Sequence, residues 1–304
     1  MGKLAALTRS FKKLIAYKKW YYLIAANDKY LISFAITDVG YLGNVFFTIV
    51  DLRTKKKIFD RSLLGIPNVI LNVKSATEGA VLASFQYPGV HIQLIKKKES
   101  VFFFQATFPN VRVLLHLFLP DTAPLFVTGH ARKEGEISTK KINLIKISGH
   151  LLINKDAVDF SNGMGGLDYT FGYLPYKTYW KWGFGFGRLE DGTPFGFNIA
   201  NGNNMGGENE NALWIQNEMF PLSDCTFLQE QDKKSWKMET KDSTLKLEFS
   251  SFTSHLEKKN FLFVKSNFSQ QYGYYSGEIT DPKTKKSLKI QNVIGVAENQ
   301  MVRW

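Results

Sequence analysis

One stretch near the middle of the chain alternates large aromatic residues with glycine, and this pattern constrains the fold. From Trp180 to Arg188 the large side chains occupy every second position, and glycines lie between them. A period of two is typical of a β-strand. A turn signal at residues 190–192 and a second alternating run at 194–201 follow, so the sequence predicts a β-hairpin. Glycine inside a strand often marks a close approach by a ligand or another backbone, and we expect Asn198 to point towards the open glycine side.

The rest of the chain also favours strands. Short apolar or alternating segments recur at regular spacing from Trp20 onward and are separated by turn residues such as Gly40, Pro67 and Gly89. Scarcely any helical periodicity follows residue 18. Such spacing predicts an all-β sandwich or barrel.

The length predicts two domains, since domains of about 150 residues are common and this chain has 304. We place the boundary near residue 160, which gives a first domain at 19–160 and a second at 161–304. No apolar run approaches the roughly 20 residues that a spanning helix needs, and no secretory signal is evident. A single cysteine, Cys225, excludes an internal disulfide. These features predict a cytoplasmic protein, with peripheral membrane contact as an option.

Residues 1–18 carry apolar residues at helical spacing together with lysine and arginine but no acid. This pattern predicts a short amphipathic basic helix. Two roles are open for it. It either packs against a barrel or lies on an anionic membrane surface.

The formal net charge of +12 comes in part from short lysine clusters, which we interpret as solvated hairpin turns: residues 55–57, 96–98, 140–141 and 285–286. No recognition helix, zinc finger or RNA-binding signature accompanies the charge, so we expect no nucleic-acid partner. The spacing of Gly183, Gly185 and Gly187 resembles a dinucleotide motif, but a strand follows it instead of a helix. The five histidines are scattered singly. We therefore expect no metal and no cofactor.

Four segments carry a resemblance to a known family: GLDYTFGYLPYKTYWKW at 166–182, ENALW at 210–214, YGYYSGEI at 272–279 and AENQMVRW at 297–304. The chain resembles the bacterial family called domain of unknown function 2804. That family is similar to the lipocalin-like group that contains carotenoid 1,2-hydratase. The resemblance implies two tandem lipocalin-like antiparallel β-barrels.

Asp168 is the candidate catalytic residue, because it stands between two glycines and a dense run of aromatic residues. An apolar setting disfavours a charged carboxylate, and a neutral carboxyl can serve as a general acid. Protonation of an alkene creates a cation that aromatic faces stabilise. The resemblance to these hydratases implies that an acid in a related glycine-rich, aromatic context is essential. The alternative is structural, with Asp168 accepting backbone hydrogen bonds or pairing with Arg188 or Arg303.

Two functions of different class follow from these residues. The main hypothesis is a protein that binds or carries an apolar small molecule, such as a lipid or isoprenoid. The alternative is a hydratase, isomerase or cyclase that acts on an unsaturated hydrophobic substrate through Asp168. For either function we predict these ligand-binding residues: Tyr169, Tyr173, Tyr176, Trp180, Trp182, Asn198, Glu210, Asn211 and Trp214.

Overall fold

The computed structural model describes residues 15–154, 156–260 and 265–304. These residues form an all-β fold of 22 strands. The strands run in chain order as follows: β1 (Tyr17–Ala26), β2 (Tyr30–Asp38), β3 (Gly43–Asp51), β4 (Lys56–Gly65), β5 (Leu71–Val73), β6 (Val81–Tyr87), β7 (Val90–Lys98), β8 (Val101–Phe108), β9 (Val111–Phe118), β10 (Leu125–Arg132), β11 (Gly135–Ile153), β12 (Asp156–Asp159), β13 (Gly163–Tyr173), β14 (Lys177–Arg188), β15 (Pro194–Gly202), β16 (Ala212–Ile215), β17 (Glu218–Pro221), β18 (Cys225–Gln229), β19 (Ser235–Thr240), β20 (Leu245–Asn260), β21 (Lys265–Thr280) and β22 (Ser287–Arg303).

The strands form two antiparallel sheets. The first has 13 strands in the path β4-β3-β2-β1-β13-β11-β9-β8-β7-β6-β5, with β10 and β12 paired to β11. Its edge strand β5 lies beside β1 and β2, so the sheet is a nearly closed barrel. The second has nine strands in the path β17-β16-β15-β14-β22-β21-β20-β19-β18 and forms a half-barrel in which β18 approaches β15. The all-β prediction is thus confirmed at the level of two antiparallel sheets.

The chain divides into two compact units, and each takes two segments of sequence. The first comprises the described residues of Met1–Asp121 together with Ile145–Gly172, and the second comprises Thr122–Leu144 and Tyr173–Trp304. This division differs from the predicted single boundary near residue 160. The reason lies in β10 and the first half of β11, which belong to the second unit although they precede that boundary.

The core of the first unit forms on one face of its sheet. Leu23, Phe34 and Phe47 are opposite one another in register on β1, β2 and β3. The rings of Phe104 and Phe108 pack against Phe47, with centroids 6.2 and 5.3 Å away. Side chains on one face of adjacent strands are neighbours, which is why register decides the membership of this core.

The core of the second unit is built around Tyr275, which is fully buried. Its ring packs edge-on against Phe197 with centroids 4.9 Å apart, and its hydroxyl donates a 2.6 Å hydrogen bond to the carbonyl of Val296. Burial raises the pKa of this phenol well above its ordinary value, so it stays protonated and keeps donating.

The predicted hairpin is confirmed. β14 and β15 pair from Trp180 with Gly202 to Arg188 with Pro194, around a turn in which Gly192 has a φ of 84°. Gly185 faces the core. A Cβ at this position would lie 2.6 Å from the ring of Phe197, so the glycine provides room for a core ring instead of a ligand.

The predicted N-terminal helix is not supported. Residues 1–14 lie outside the described residues, Ile15 and Ala16 have helical backbone, and no helix is among the named elements of the described ranges. Tyr17 and Lys18, the last two residues of the predicted helix, belong to β1. Lys18 is buried, and its Nζ donates to the carbonyls of Val39, at 2.8 Å, and Ile15. Because β1 begins at Tyr17, Lys18 is directed into the protein and not towards solvent.

No helix in the described part of the chain is long and apolar enough to span a membrane.

Gly185 and Gly187 lie on the same face of β14 but differ in the space around them. Alanine substitutions at the two positions therefore form a matched pair. Gly185→Ala should lower the free energy of unfolding by about 1–3 kcal/mol, because the new methyl overlaps the Phe197 ring. Gly187→Ala should change it much less, because its Cβ would meet Val293 at an ordinary 3.5 Å. Denaturant melts of the two variants measure the difference. Equal destabilisation would contradict this packing.

Cys225 should be unreactive in the folded protein. Burial raises the pKa of its thiol to about 12, so almost no thiolate forms near pH 8. A disulfide reagent should label it slowly in the native state and quickly after denaturation. Fast native labelling would show that β18 opens readily at the edge of the sheet.

Candidate functional site

The structure distributes the predicted site residues over both units. Asp168 and Tyr169 belong to the first unit, and the other eight belong to the second.

Asp168 lies on β13 and is 6% exposed. Its Oδ2 accepts a hydrogen bond of 3.3 Å from the indole Nε1 of Trp20 on β1, and its Oδ1 accepts one of 3.1 Å from the hydroxyl of Thr170. Neither Arg188 nor Arg303 is its partner in these contacts. The two donors fix the orientation of the carboxyl group.

Tyr169 points to the other side of the sheet from Asp168. Its ring stacks on Tyr21 with centroids 4.2 Å apart and on Phe171 at 5.0 Å. Tyr21 and Trp20 are consecutive on β1, so the two β13 residues contact opposite faces. Tyr21 lies on the face of Leu23 and the core, and Asp168 lies on the opposite face. Burial raises the pKa of both tyrosines, so this stack is neutral.

In the second unit three predicted residues form a hydrogen-bonded network. The Nε1 of Trp182 donates to Oδ1 of Asn198 at 2.7 Å, and Nδ2 of Asn198 donates to the carbonyl of Glu210 at 2.6 Å. The carboxylate of Glu210 reaches Lys141, with Nζ 3.2 Å from Oε2, and Asn204, with Nδ2 3.4 Å from Oε1. All five side chains are buried. A buried carboxylate paired with a buried ammonium is the main charge feature of this network.

The first half of β11 delivers Lys141 to that network. Asn143, two residues further along the same face of β11, donates from Nδ2 to the carbonyls of Gly185 at 3.1 Å and Phe197 at 3.2 Å. A Cβ at Gly196 would lie 2.6 Å from Asn143, so the glycine allows this approach. The Nζ of Lys141 also lies 5.6 Å from the ring centroid of Trp182. Lysine contact with an aromatic face is favourable when both are desolvated.

A second carboxyl is held on the same face of the half-barrel. Glu298 on β22 accepts a 2.7 Å hydrogen bond from Nε1 of Trp180 at Oε1 and a 3.0 Å bond from Nε2 of Gln270 at Oε2. Its register partner on β14 is Trp182. This acid among rings resembles the setting that the sequence predicted for Asp168.

Four other predicted residues lie apart from these networks. Asn211 accepts from the backbone N–H of Ala200 and donates to the carbonyl of Ser223, so its amide links β15 to the loop before β18. Trp214 is fully buried on β16, Tyr173 packs beside Gly135, and Tyr176 is 53% exposed. Their ligand contacts stay predictions.

The expected direction of Asn198 is wrong. It pairs in register with Phe184, whereas Gly183 pairs with Ile199, so Asn198 lies on the face of the large rings. Paired residues on neighbouring strands point to the same face of the sheet. The face of Asn198 therefore depends on its register with β14, which neither strand's sequence reveals alone.

Sequence reasoning missed Lys141, Asn204 and Gln270. Lys141 belongs to a pair of lysines interpreted as a solvated turn, yet it lies within β11 and is 4% exposed. Alternation gives no signal here, because Ser138 and Ile142 are buried as well as Lys141 and Asn143. Among the described residues no group of three or more His, Cys, Asp or Glu side chains could hold a metal ion.

The family model described as a domain of unknown function (DUF2804) matches residues 3–304. The chain belongs to this family. No curated protein sequence matches this DUF2804 chain significantly.

Three solved structures share its fold over most of their length. Kievitone hydratase from Nectria haematococca is 13% identical, with a TM-score of 0.54 over 93% of the DUF2804 chain and 88% of the hydratase. A putative AttH from Nitrosomonas europaea is 9% identical, with a TM-score of 0.54 over 94% and 92% of the two chains. The protein CghA is 8% identical, with a TM-score of 0.54 over 95% and 88%. These similarities concern the fold.

Lys141 and Glu210 should contribute to stability together, so that removal of either one destabilises the fold. Lys141→Met leaves an uncompensated buried carboxylate, and Glu210→Gln leaves an uncompensated buried ammonium, so each should cost about 3–5 kcal/mol of unfolding free energy. The double variant should cost less than the sum of the two. A double-mutant cycle from denaturant melts measures the coupling, and additive effects would contradict a direct interaction.

Proposed function

We propose that this protein is a hydratase-type enzyme that acts on an unsaturated hydrophobic substrate, with Asp168 as the general acid. The observation that carries the proposal is the Asp168 carboxyl, which is buried and oriented by donors from Trp20 and Thr170. A carboxyl fixed in this way can present one proton to a substrate carbon in a defined direction.

The reaction follows from that proton. The acid form of Asp168 gives its proton to one carbon of a C=C bond, and the π electrons form the new C–H bond. The other carbon becomes cationic. Water adds to it through oxygen, and the proton that water loses returns to the Asp168 carboxylate, so the residue is regenerated. Loss of a different proton from the cation to the Asp168 carboxylate would give isomerisation. Attack of a second double bond on the cation, followed by loss of a proton to that carboxylate, would give cyclisation.

Trp20 has a position suited to the cationic stage. Its indole nitrogen is bonded to Asp168, so its ring lies beside the carboxyl, and its side chain is half-buried. An indole face stabilises a nearby desolvated cation by about 2 kcal/mol or more. Trp20 would thus both orient the acid and stabilise the charge that the acid creates.

The comparisons support an enzyme over a carrier. Kievitone hydratase shares the fold over nearly the whole chain, and its name states a hydration reaction. A carrier would need free polar groups for a ligand head group, yet both ends of the Asn198 amide are engaged by Trp182 and Glu210. The amide of Asn211 is likewise bonded within the protein.

The test compares two isosteric variants of buried, indole-bonded carboxyls. Product formation is measured by mass spectrometry with kievitone and a panel of isoprenoid alkenes. Asp168→Asn should lower turnover by roughly a hundredfold or more, because the amide cannot transfer the proton. Glu298→Gln, which loses a similar hydrogen-bonding carboxylate next to Trp180, should retain most of the turnover.

The melting transition of each variant serves as the control. Each should lose about 1–3 kcal/mol of unfolding free energy through its weakened hydrogen bonds. If Glu298→Gln loses turnover and Asp168→Asn does not, the assignment of the acid is wrong. If the wild-type protein retains these compounds but converts none, the carrier hypothesis is the better one.

A further inference from the structure

Four long strands of the second unit, β14, β22, β21 and β20, continue beyond the residues that pack into its core. The core face of β14 and β22 ends near the register pair of Gly183 and Ala297. Past that point the same face of the sheet is occupied by other residues, and many of them are exposed.

We call this part of the sheet the terminal face. Its residues lie in three rows that follow from the strand register. Each row crosses the strands in the order β14, β22, β21, β20. The rows are Lys177, Arg303, Lys265 and Asn260; then Tyr179, Met301, Asn267 and Lys258; then Lys181, Asn299, Ser269 and Leu256. Given strand spacings near 4.8 Å, the terminal face measures roughly 15 Å in each direction.

The terminal face is basic. Five of its twelve side chains are lysine or arginine, and none is acidic. Lys181 donates to the carbonyl of Phe227 at 3.1 Å. The other four, Lys177, Lys258, Lys265 and Arg303, are exposed and form no ion pair with any residue that the structure describes. Their charge is therefore available to a partner.

The terminal face also exposes three large apolar side chains. Leu256 is 66% exposed, Met301 is 62% exposed and Tyr179 is 53% exposed. Met301 and Tyr179 are register partners in the middle row, with cations in the row beside them. Large apolar side chains exposed together on a monomer commonly mark an interaction site.

The opposite face of the same strand ends has a different chemistry. Its side chains are buried or half-buried, and its charges are paired, with Nζ of Lys259 2.7 Å from Oε2 of Glu257. Glu298 on that face is bonded to Trp180 and Gln270. The unpaired charge and the exposed apolar surface are thus confined to one side.

We propose that the terminal face docks the protein on an anionic lipid membrane. Phospholipid headgroups would neutralise the exposed lysines and Arg303, each of which adds favourable binding near such a surface. Leu256, Met301 and Tyr179 would enter the boundary between headgroups and acyl chains, where aliphatic groups leave water and a tyrosine hydroxyl stays wet. Register places all these side chains on one face of four neighbouring strands, so they can meet the same membrane surface.

Nucleic acid fits the same charge less well. A nucleic-acid groove would present aromatic rings for base stacking or polar groups for base edges. The terminal face has one aromatic residue, Tyr179, and two aliphatic residues, Leu256 and Met301, which gain more from an apolar phase. The proposal is independent of the reaction proposed for Asp168, which lies in the other unit.

The experiment is a vesicle-binding assay on the full chain. Vesicles of phosphatidylcholine, with and without phosphatidylserine, are titrated at low and high salt. The test variant Lys177→Gln/Lys258→Gln/Lys265→Gln removes three charges from the terminal face. The control Lys285→Gln/Lys286→Gln/Lys289→Gln removes three exposed charges at the opposite end of β21 and β22. A third variant, Leu256→Ser/Met301→Ser, removes the apolar part.

We expect wild type and control to bind phosphatidylserine vesicles and to be released by salt. The test variant should bind roughly a hundredfold more weakly, and the apolar variant about tenfold more weakly. All variants should keep the wild-type melting temperature within a few degrees, since every substituted side chain is exposed.

Three results would overturn the proposal. The first is absence of wild-type binding to the anionic vesicles. The second is equal binding by the test and control variants, which would place the contact elsewhere on the chain. The third is tighter binding to a short DNA duplex that Leu256→Ser/Met301→Ser does not weaken, which would identify a nucleic-acid surface.

Discussion

Strand register is the constraint on which both units of this protein depend. In each sheet one face carries an apolar core, and the candidate site residues lie on the other face. Leu23, Phe34 and Phe47 define the core face of the first unit, and Asp168 lies on the opposite face. Tyr275 defines the core face of the second, and Trp182, Asn198 and Glu298 lie opposite. A shift of one residue in either sheet would exchange these faces.

The polar faces are organised by indole groups. Trp20 bonds to Asp168, Trp180 bonds to Glu298, and Trp182 bonds to Asn198. An indole N–H is a donor only, so it must find an acceptor when it is buried. The aromatic residues that make the central stretch conspicuous therefore do two things. They exclude water from the carboxyl and amide groups, and they fix the directions in which those groups point.

The sequence predicted those elements of the fold that short-range residue patterns determine. The alternation of rings and glycines gave the β14–β15 hairpin, since strand period and turn chemistry are encoded within a few residues. The predicted boundary placed 122–144 in the first domain, whereas its contacts group it with the second unit, because its partners, such as Gly185 and Phe197, are distant in sequence. The same limit applies to the site. Lys141 is 69 residues from Glu210, and no property of either residue alone predicts that they pair.

The step proposed for Asp168 is the transfer of a proton to carbon. The most direct measurement is isotope incorporation, with wild-type protein incubated with isoprenoid alkenes in deuterium oxide. The products and the recovered substrate are then analysed by mass spectrometry and NMR. If Asp168 is the proton donor, we expect carbon-bound deuterium in the wild-type reaction and almost none with Asp168→Asn. Compounds that bind to the protein yet return without carbon-bound deuterium would contradict it.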